Sequence, residues 1–309
     1  MKKIFFYALV LFVATGLFSC DGGEKKTYAT DTPQSGTIHI SVDESFRPVL
    51  EEQIKVYEAS FPGTHIIAHY KPEAECFRDM YKDTLNRMII VTRGLTKEEA
   101  RFYNDSLSYT PISNPIASDA IAVVVNAASA DTIFTLAELQ QQLNGTANIK
   151  HPIIFDGLNA TSTVRFVTDS ILKGKKIDTS IVKAVKDSRK VLEYVAENKN
   201  AIGMVGISWI GNPEDTAQVN MLKKVKIAYL KCDLCTDSPY VKPTQASILN
   251  HRYPLVRGLF YILKENFNGL GSGFAAFLRY ERGQLIFRRA YLGPVMDFGI
   301  RSVKINEKL

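Results

Sequence analysis

The sequence predicts an α/β protein built as two doubly wound lobes. Three observations predict it. Strand-like and helix-like segments alternate along almost the whole chain after residue 36. Capping and turn signals separate them, as expected for parallel strands joined by helical crossovers. The chain, about 290 residues once a leader is set aside, is longer than one sheet and its core usually require.

In chain order, residues 37–42 (TIHISV) alternate as a strand. Pro48 then opens a helix with Leu50, Ile54, Tyr57 and Phe61 on one stripe, stopped by Pro62-Gly63. Residues 64–70 form the next strand, and Pro72 opens a helix through Cys76, Phe77, Met80 and Tyr81. Residues 87–92 (RMIIVT) read as a buried strand, and Thr96 with Glu99 makes a capping box for a third helix. After a loop holding Pro111 and Pro115 comes the strand 119–126 (DAIAVVVN). Thr135 and Glu138 cap the next helix, which Asn144-Gly145 stops. Residues 152–156 are a strand, 161–172 and 188–198 helices, and 201–208, 225–230 and 259–264 strands. Residues 273–291 read as one long, Arg-rich amphipathic helix. Lobe 1 is assigned residues 36–115 plus 226–309, and lobe 2 residues 116–225, as two mainly parallel sheets side by side.

The first nineteen residues are a leader. Lys2 and Lys3 precede an apolar run, Ile4 to Phe18, too short to span a bilayer as a helix. It ends in Leu17-Phe18-Ser19-Cys20, the order of a bacterial lipobox. Cleavage before Cys20 and lipid on its thiol are expected, with residues 20–35 as a flexible polar tether. An ordinary secretory leader with a chance cysteine is the alternative. Either way the mature chain is placed outside the cytoplasm, in the cell envelope; in the lipobox reading the lipid at Cys20 holds it on the periplasmic side of a membrane.

The formal charge of +6, two units of it in the leader, is far too sparse for a nucleic-acid binder, and no basic stripe carries interleaved aromatics. Cys76 sits in a helical pattern as a small core residue. Cys232 and Cys235 read as a local disulfide staple in an oxidising compartment, with redox activity as the alternative. The five histidines have no metal-ligand spacing, so neither a metal nor a cofactor is expected. Trp209, the only tryptophan, either packs at the junction of the lobes or lines the cleft.

Ligands of such sheets bind beyond the carboxyl ends of strands. Three loops there draw notice: 42–48 (VDESFRP), 91–96 (VTRGLT) and 156–165 (DGLNATSTVR). Each sets small hydroxyl residues beside a helix N-terminus, where free N–H groups favour anions. Arg93 and Arg165 add guanidinium forks suited to a tetrahedral oxyanion. The plainer reading makes these Ser and Thr residues helix caps.

With GTIHISVDESFRPVLEEQ, TRGLTKEEA, SDAIAVVVNAASADTIFTLAELQQQLNG, LNATSTVRFV, AENKNAIGMVGISWI and RYPLVRGLFYILK in this order, the chain resembles the phosphate-binding proteins of ABC-type phosphate uptake. These lie within the type 2 periplasmic binding-protein superfamily, and the resemblance spans roughly residues 36–294. It implies a type 2 periplasmic binding-protein-like fold with a hinge between the lobes. It also implies phosphate contacts from Ser45 and Phe46, from Thr161, Ser162 and Thr163, and from Arg93, with Thr92 beside it where the family often has Asp. The family often carries an Arg near Gly157, and its Gly-Ser-Ser turn reads Glu73-Ala74-Glu75 here. Glu75 or Glu73 is therefore expected to take over the acceptor role for a phosphate proton, and Arg165 to stand in for the missing Arg.

The expected function is a lipid-anchored solute-binding protein, acting as a monomer, that captures inorganic phosphate or a related oxyanion and hands it to an ABC permease. The alternative is an anion-binding sensor of the same fold acting through a partner without transport. An enzyme is not expected. Ser45 or Ser162 as a nucleophile needs a histidine, and His151, the only one near, precedes its strand at the wrong end.

Overall fold

In a computed structural model, residues 31–157 and 161–298 are described. The leader, Cys20, most of the tether and residues 158–160 of the third loop lie outside them. Residues 31–35, assigned to the tether from composition, are held against the rest of the fold. Asp31 is buried, its carboxylate accepting from Arg87 Nη2 (2.5 Å) and from the Leu270 N–H (2.7 Å).

The first part of the chain winds strand to helix as its periodicity dictates. β1 (Ser35–Asp43) buries Ile38, Ile40 and Val42. A 3-10 turn, Glu44–Phe46, leads into α1 (Arg47–Ser60), which has Pro at its start and buries Leu50, Ile54 and Tyr57. Then come β2 (Gly63–Lys71), α2 (Glu73–Lys82), β3 (Asn86–Val91) and α3 (Lys97–Leu107). The Thr96–Glu99 capping box forms, as does the one at Thr135 and Glu138 on α4 (Leu136–Leu143).

β4 (Ile112–Asn126) is the spine. It begins seven residues before the predicted strand and tolerates Pro115, because its ladder with β12 (Val256–Leu263) shifts register at Leu259/Phe260 opposite it. The sequence reading gives two separate, mainly parallel sheets. Instead one mixed sheet runs β2-β1-β3-β12-β4-β8-β6-β7. β1 with β2 and β3, and β6 (Ile153–Phe155) with β7 (Val182–Ala184) and β8 (Ile202–Gly206), are parallel. β12 and β4 run against their neighbours. The proximal part of β4 pairs with β12 up to Ala120↔Val256, and the distal part pairs with β8 from Ile121↔Gly206. β9 (Val225–Ile227) also lies on distal β4, so the ladder changes partners at Ala120/Ile121 and the chain returns to the proximal part at Val256.

Two predicted elements split. Residues 225–230 form β9 and, after Ala228, β10 (Tyr229–Lys231), which pairs with β5 (Ile133–Phe134) and β11 (Tyr240–Val241). The long Arg-rich helix breaks at an extended Tyr280 into α9 (Leu270–Arg279) and α10 (Glu281–Arg289). α10 doubles back closely enough that a Cβ at Gly283 would collide with the Phe277 carbonyl and Leu278.

The main core follows the spine, and a smaller one gathers free, buried Cys76 with Met80, Ile89, Val91, Tyr103 and Ile262. Cys232 and Cys235 are disulfide-bonded, Cα to Cα 5.5 Å. Trp209 is buried in the turn after β8. The remaining helices are α5 (Ser162–Val167), running on as a π-turn to Leu172, α6 (Ser188–Glu197), α7 (Thr216–Met221) and α8 (Gln245–Leu249).

Candidate functional site

The carboxyl ends of β1, β3, β6 and β8 meet where β4 changes partners, and polar residues are buried there. From the proximal side the turn after β1 brings Ser45. From the distal side α5 brings Ser162 and Thr163. Ser45 Oγ lies 3.4 Å from Ser162 Oγ and 3.5 Å from Thr163 Oγ1, all three wholly buried. Thr161 caps α5, its hydroxyl accepting from the Val164 N–H (3.3 Å). The cap reading therefore holds for Thr161, while its two successors turn inward.

The charge at this centre comes from a residue the sequence reading missed. Arg257, the second residue of β12, sits directly opposite Asp119 on β4. Its Nε donates to Asp119 Oδ2 (2.8 Å) and its Nη1 to Ser162 Oγ (2.9 Å); Nη2 is buried with no partner among the described residues. The guanidinium lies over the Phe46 ring at 5.2 Å. Gly206 lies beside it, where a Cβ would come within ordinary contact, 3.4 Å, of Nη2 and of the Ser45 carbonyl. A lone Arg and a lone Asp inside two apolar strands were the available signal. Their partnership depends on a register that spacing does not reveal.

Acids surround this arginine. Asp43 Oδ1 accepts from the Ser45 N–H (3.1 Å). Asp156 Oδ2 accepts from Thr163 Oγ1 (3.3 Å) and lies 3.4 Å from Ser188 Oγ. Glu44 reaches across to Ser188, whose Oγ donates to Oε2 (2.9 Å). Asp43 Oδ2, Asp119 Oδ1, Asp156 Oδ1 and Glu44 Oε1 are buried without a partner among the described residues. Burial pushes Asp43 up to about 7, Arg257 opposing and Glu73 adding to it. Burial likewise pushes Glu44 up to about 7 against the Ser188 hydrogen bonds. Asp119 and Asp156 also rise through burial, with Arg257 pulling back.

A second cluster joins the two parts of the sheet. The Glu73 carboxylate, on α2, accepts from the Thr92 N–H (2.9 Å) and hydroxyl (2.5 Å) and from Arg165 Nε (2.7 Å) and Nη2 (3.3 Å). Arg165 Nη2 also donates to Thr92 Oγ1 (2.6 Å). Burial would raise Glu73, but Arg165 and Thr92 outweigh it and hold the carboxyl below its ordinary value. Arg165 does turn inward, yet its guanidinium is engaged by Glu73.

Two predicted residues are not brought to the centre. Arg93 forms a bidentate pair with Glu99 (2.7 and 2.8 Å) and stacks on Phe77 at 3.9 Å. Glu99 already serves the α3 capping box, so its fixed carboxylate holds Arg93 beside α3. Glu75 is on the exposed side of α2, 3.4 Å from Arg78. The acceptor role expected of it is therefore not available there. The hydroxyls of Ser45 and Ser162 have no histidine partner, and His151 instead contacts the Asn200 carbonyl (3.1 Å).

These pKa directions set an expectation for the ligand-free protein. Asp43 and Glu44 hold protons more tightly folded than unfolded. Their contribution is whole below about pH 4 and is lost as pH rises through about 7. Glu73 acts oppositely, its contribution lost as pH falls below the ordinary carboxylate range. The melting midpoint is therefore expected to be several degrees higher at about pH 5.5 than at about pH 8.5. Differential scanning calorimetry checks this, and a midpoint climbing steadily between those values contradicts it.

A family profile described as a PBP superfamily domain matches residues 27–281. No curated protein matches the chain. Among solved structures it is similar to a Clostridium perfringens protein assigned as a phosphate ABC transporter substrate-binding protein, with phosphate bound. The two are 19% identical over 84% of this chain and 100% of that one, with a TM-score of 0.68. An ABC-type phosphate transport receptor from Vibrio cholerae is 17% identical over 84% and 99%, TM-score 0.58. The CcmR regulatory domain of Synechocystis PCC6803 in complex with 2-PG is 10% identical over 79% and 96%, TM-score 0.54. With its two α/β windings joined through β4 and its polar centre at the strand ends, the chain belongs to the PBP superfamily of solute-binding folds.

Proposed function

We propose that the chain is an extracytoplasmic solute-binding protein that captures inorganic phosphate between two lobes, is held to a membrane by lipid on Cys20, and delivers its ligand to an ABC permease. The lobes exchange at Ala120/Ile121 and again before Val256. One observation carries the reading: a buried guanidinium with an unused N–H, Arg257 Nη2, stands beside hydroxyls gathered from both lobes, Ser45, Ser162 and Thr163. That donor set suits a small tetrahedral oxyanion. The surrounding carboxylates repel sulfate, which carries no proton at neutral pH, and accept from phosphate, which does. Binding, orientation and exclusion of water are the whole of the chemistry here, and no residue is assigned a catalytic role.

Isothermal titration with phosphate, sulfate and molybdate tests it. Phosphate is expected to bind, with sulfate weaker by about a hundredfold or more. Glu75→Gln is expected to leave that preference unchanged, because Glu75 faces away from the centre. Equal affinity for sulfate would sink the phosphate reading.

A second reading has support in the likeness to a regulatory domain with a bound ligand. In it the liganded chain signals to a partner protein without transport. Loss of growth on limiting phosphate in a deletion strain favours delivery. Unchanged uptake with altered gene expression favours the sensor.

A further inference from the structure

The polar centre has more acceptors than donors. Asp43 and Asp156 each have one carboxylate oxygen tied to the hydroxyl cluster, Asp43 through the Ser45 N–H and Asp156 through Thr163 Oγ1. The other oxygen of each is buried and unpartnered, and so is Arg257 Nη2, on a side chain 1% exposed. Unmatched buried polar atoms are few in native proteins, because burying one without a partner forfeits its hydration. Three of them around one set of hydroxyls mark the outline of a missing partner. It must donate twice and accept from a guanidinium.

The charges point the same way. Asp43, Glu44, Asp119, Asp156 and Glu73 are answered within the two clusters by Arg257 and Arg165 alone. A dianion would add two charges to a buried, already acidic site, and its lone pairs would face carboxylate lone pairs. A singly charged tetrahedral ion with two O–H groups meets both conditions.

Building on the phosphate reading above, we infer that this site takes phosphate together with protons, as the dihydrogen form. Its two O–H groups donate to Asp43 Oδ2 and Asp156 Oδ1, and an unprotonated oxygen accepts from Arg257 Nη2. Asp119 orients the guanidinium from behind and is a positioning residue. Which partner holds a given proton in the complex does not change the count. Asp43 is faced by Arg257 from β12, by Glu73 and Cys76 from α2, and by Ser162 from α5. Asp156 is faced by Arg257, by Glu44, by Thr161 and Thr163 from α5, and by Ser188 from α6.

Calorimetry of the full chain with inorganic phosphate, from about pH 5.5 to about pH 8.5, reads the proton count directly. Affinity is expected to peak near neutrality, weakening below it because Asp43 must give up its own proton to accept from phosphate, and falling about tenfold for each pH unit above it because a proton must be taken up. Titration at the alkaline end in two buffers of different ionisation enthalpy is expected to show uptake of at least one proton per phosphate. Asp43→Asn is expected to flatten the profile. The wild-type proton count stands by itself if that variant does not fold. Affinity independent of pH, or proton release at the alkaline end, overturns the inference and leaves phosphate binding intact. No phosphate heat at any pH sinks both.

Discussion

Replacing Arg257 with alanine is expected to lower stability by roughly 3–5 kcal/mol and to abolish phosphate binding. The pair it breaks is cross-strand and fully buried, Arg257 Nε to Asp119 Oδ2 at 2.8 Å. Without the guanidinium, the Asp119 carboxylate is stranded in the sheet and Ser162 loses its donor. The double variant Arg257→Ala with Asp119→Ala removes the stranded charge too. It is expected to recover much of the stability and none of the binding, because removing both partners of a buried pair costs far less than removing one. Urea unfolding and calorimetry on the same samples separate the two effects. A double variant as unstable as the single would mean that the two residues do not act as a pair.

The second large effect concerns the Glu73 clasp, and its sign lies in an asymmetry. Glu73 is almost wholly buried, whereas the Arg165 side chain is 38% exposed. Glu73→Ala lets Arg165 turn to water and leaves only Thr92 short of an acceptor, a loss of about 2 kcal/mol. Arg165→Ala leaves a buried carboxylate held by Thr92 alone, a loss of about 3 kcal/mol or more. The Arg165 deficit is also expected to shrink at low pH, as the abandoned Glu73 takes up a proton. Equal losses with no pH dependence would show that the clasp is not the buried ion pair described here.

How far these sites were legible in the sequence varies with the kind of contact. The alternation around Ile38, Ile40 and Val42, the Pro48 start of α1 and the boxes at Thr96 and Thr135 are local, and all appear where expected. The loops at the ends of β1, β3 and β6 were also found, since strand ends before helices are a local pattern. What no local pattern decides is which of two arginines turns inward. Arg93 is captured by Glu99, six residues on, because that carboxylate is already fixed by its capping box. Arg165 meets Glu73 only because separate loops converge. Arg257 and Asp119 are 138 positions apart, and only the register of β12 on β4 makes them neighbours. The apolar strand pattern at residues 119–126 gave no hint that β4 would extend back to Ile112 and join both windings into one sheet.

That shared strand has a mechanical consequence. Ala120 and Ile121 are the last and first residues of two different ladders on one continuous backbone, so if the two windings rock as the lobes proposed above, the chain must twist there. Asp119 is the next residue back. On that proposal a pivot and a charge clamp occupy adjacent positions, and swinging the lobes apart would wrench the carboxylate that aims Arg257. Letting go of the cargo and opening the jaw would then be one movement of one lever.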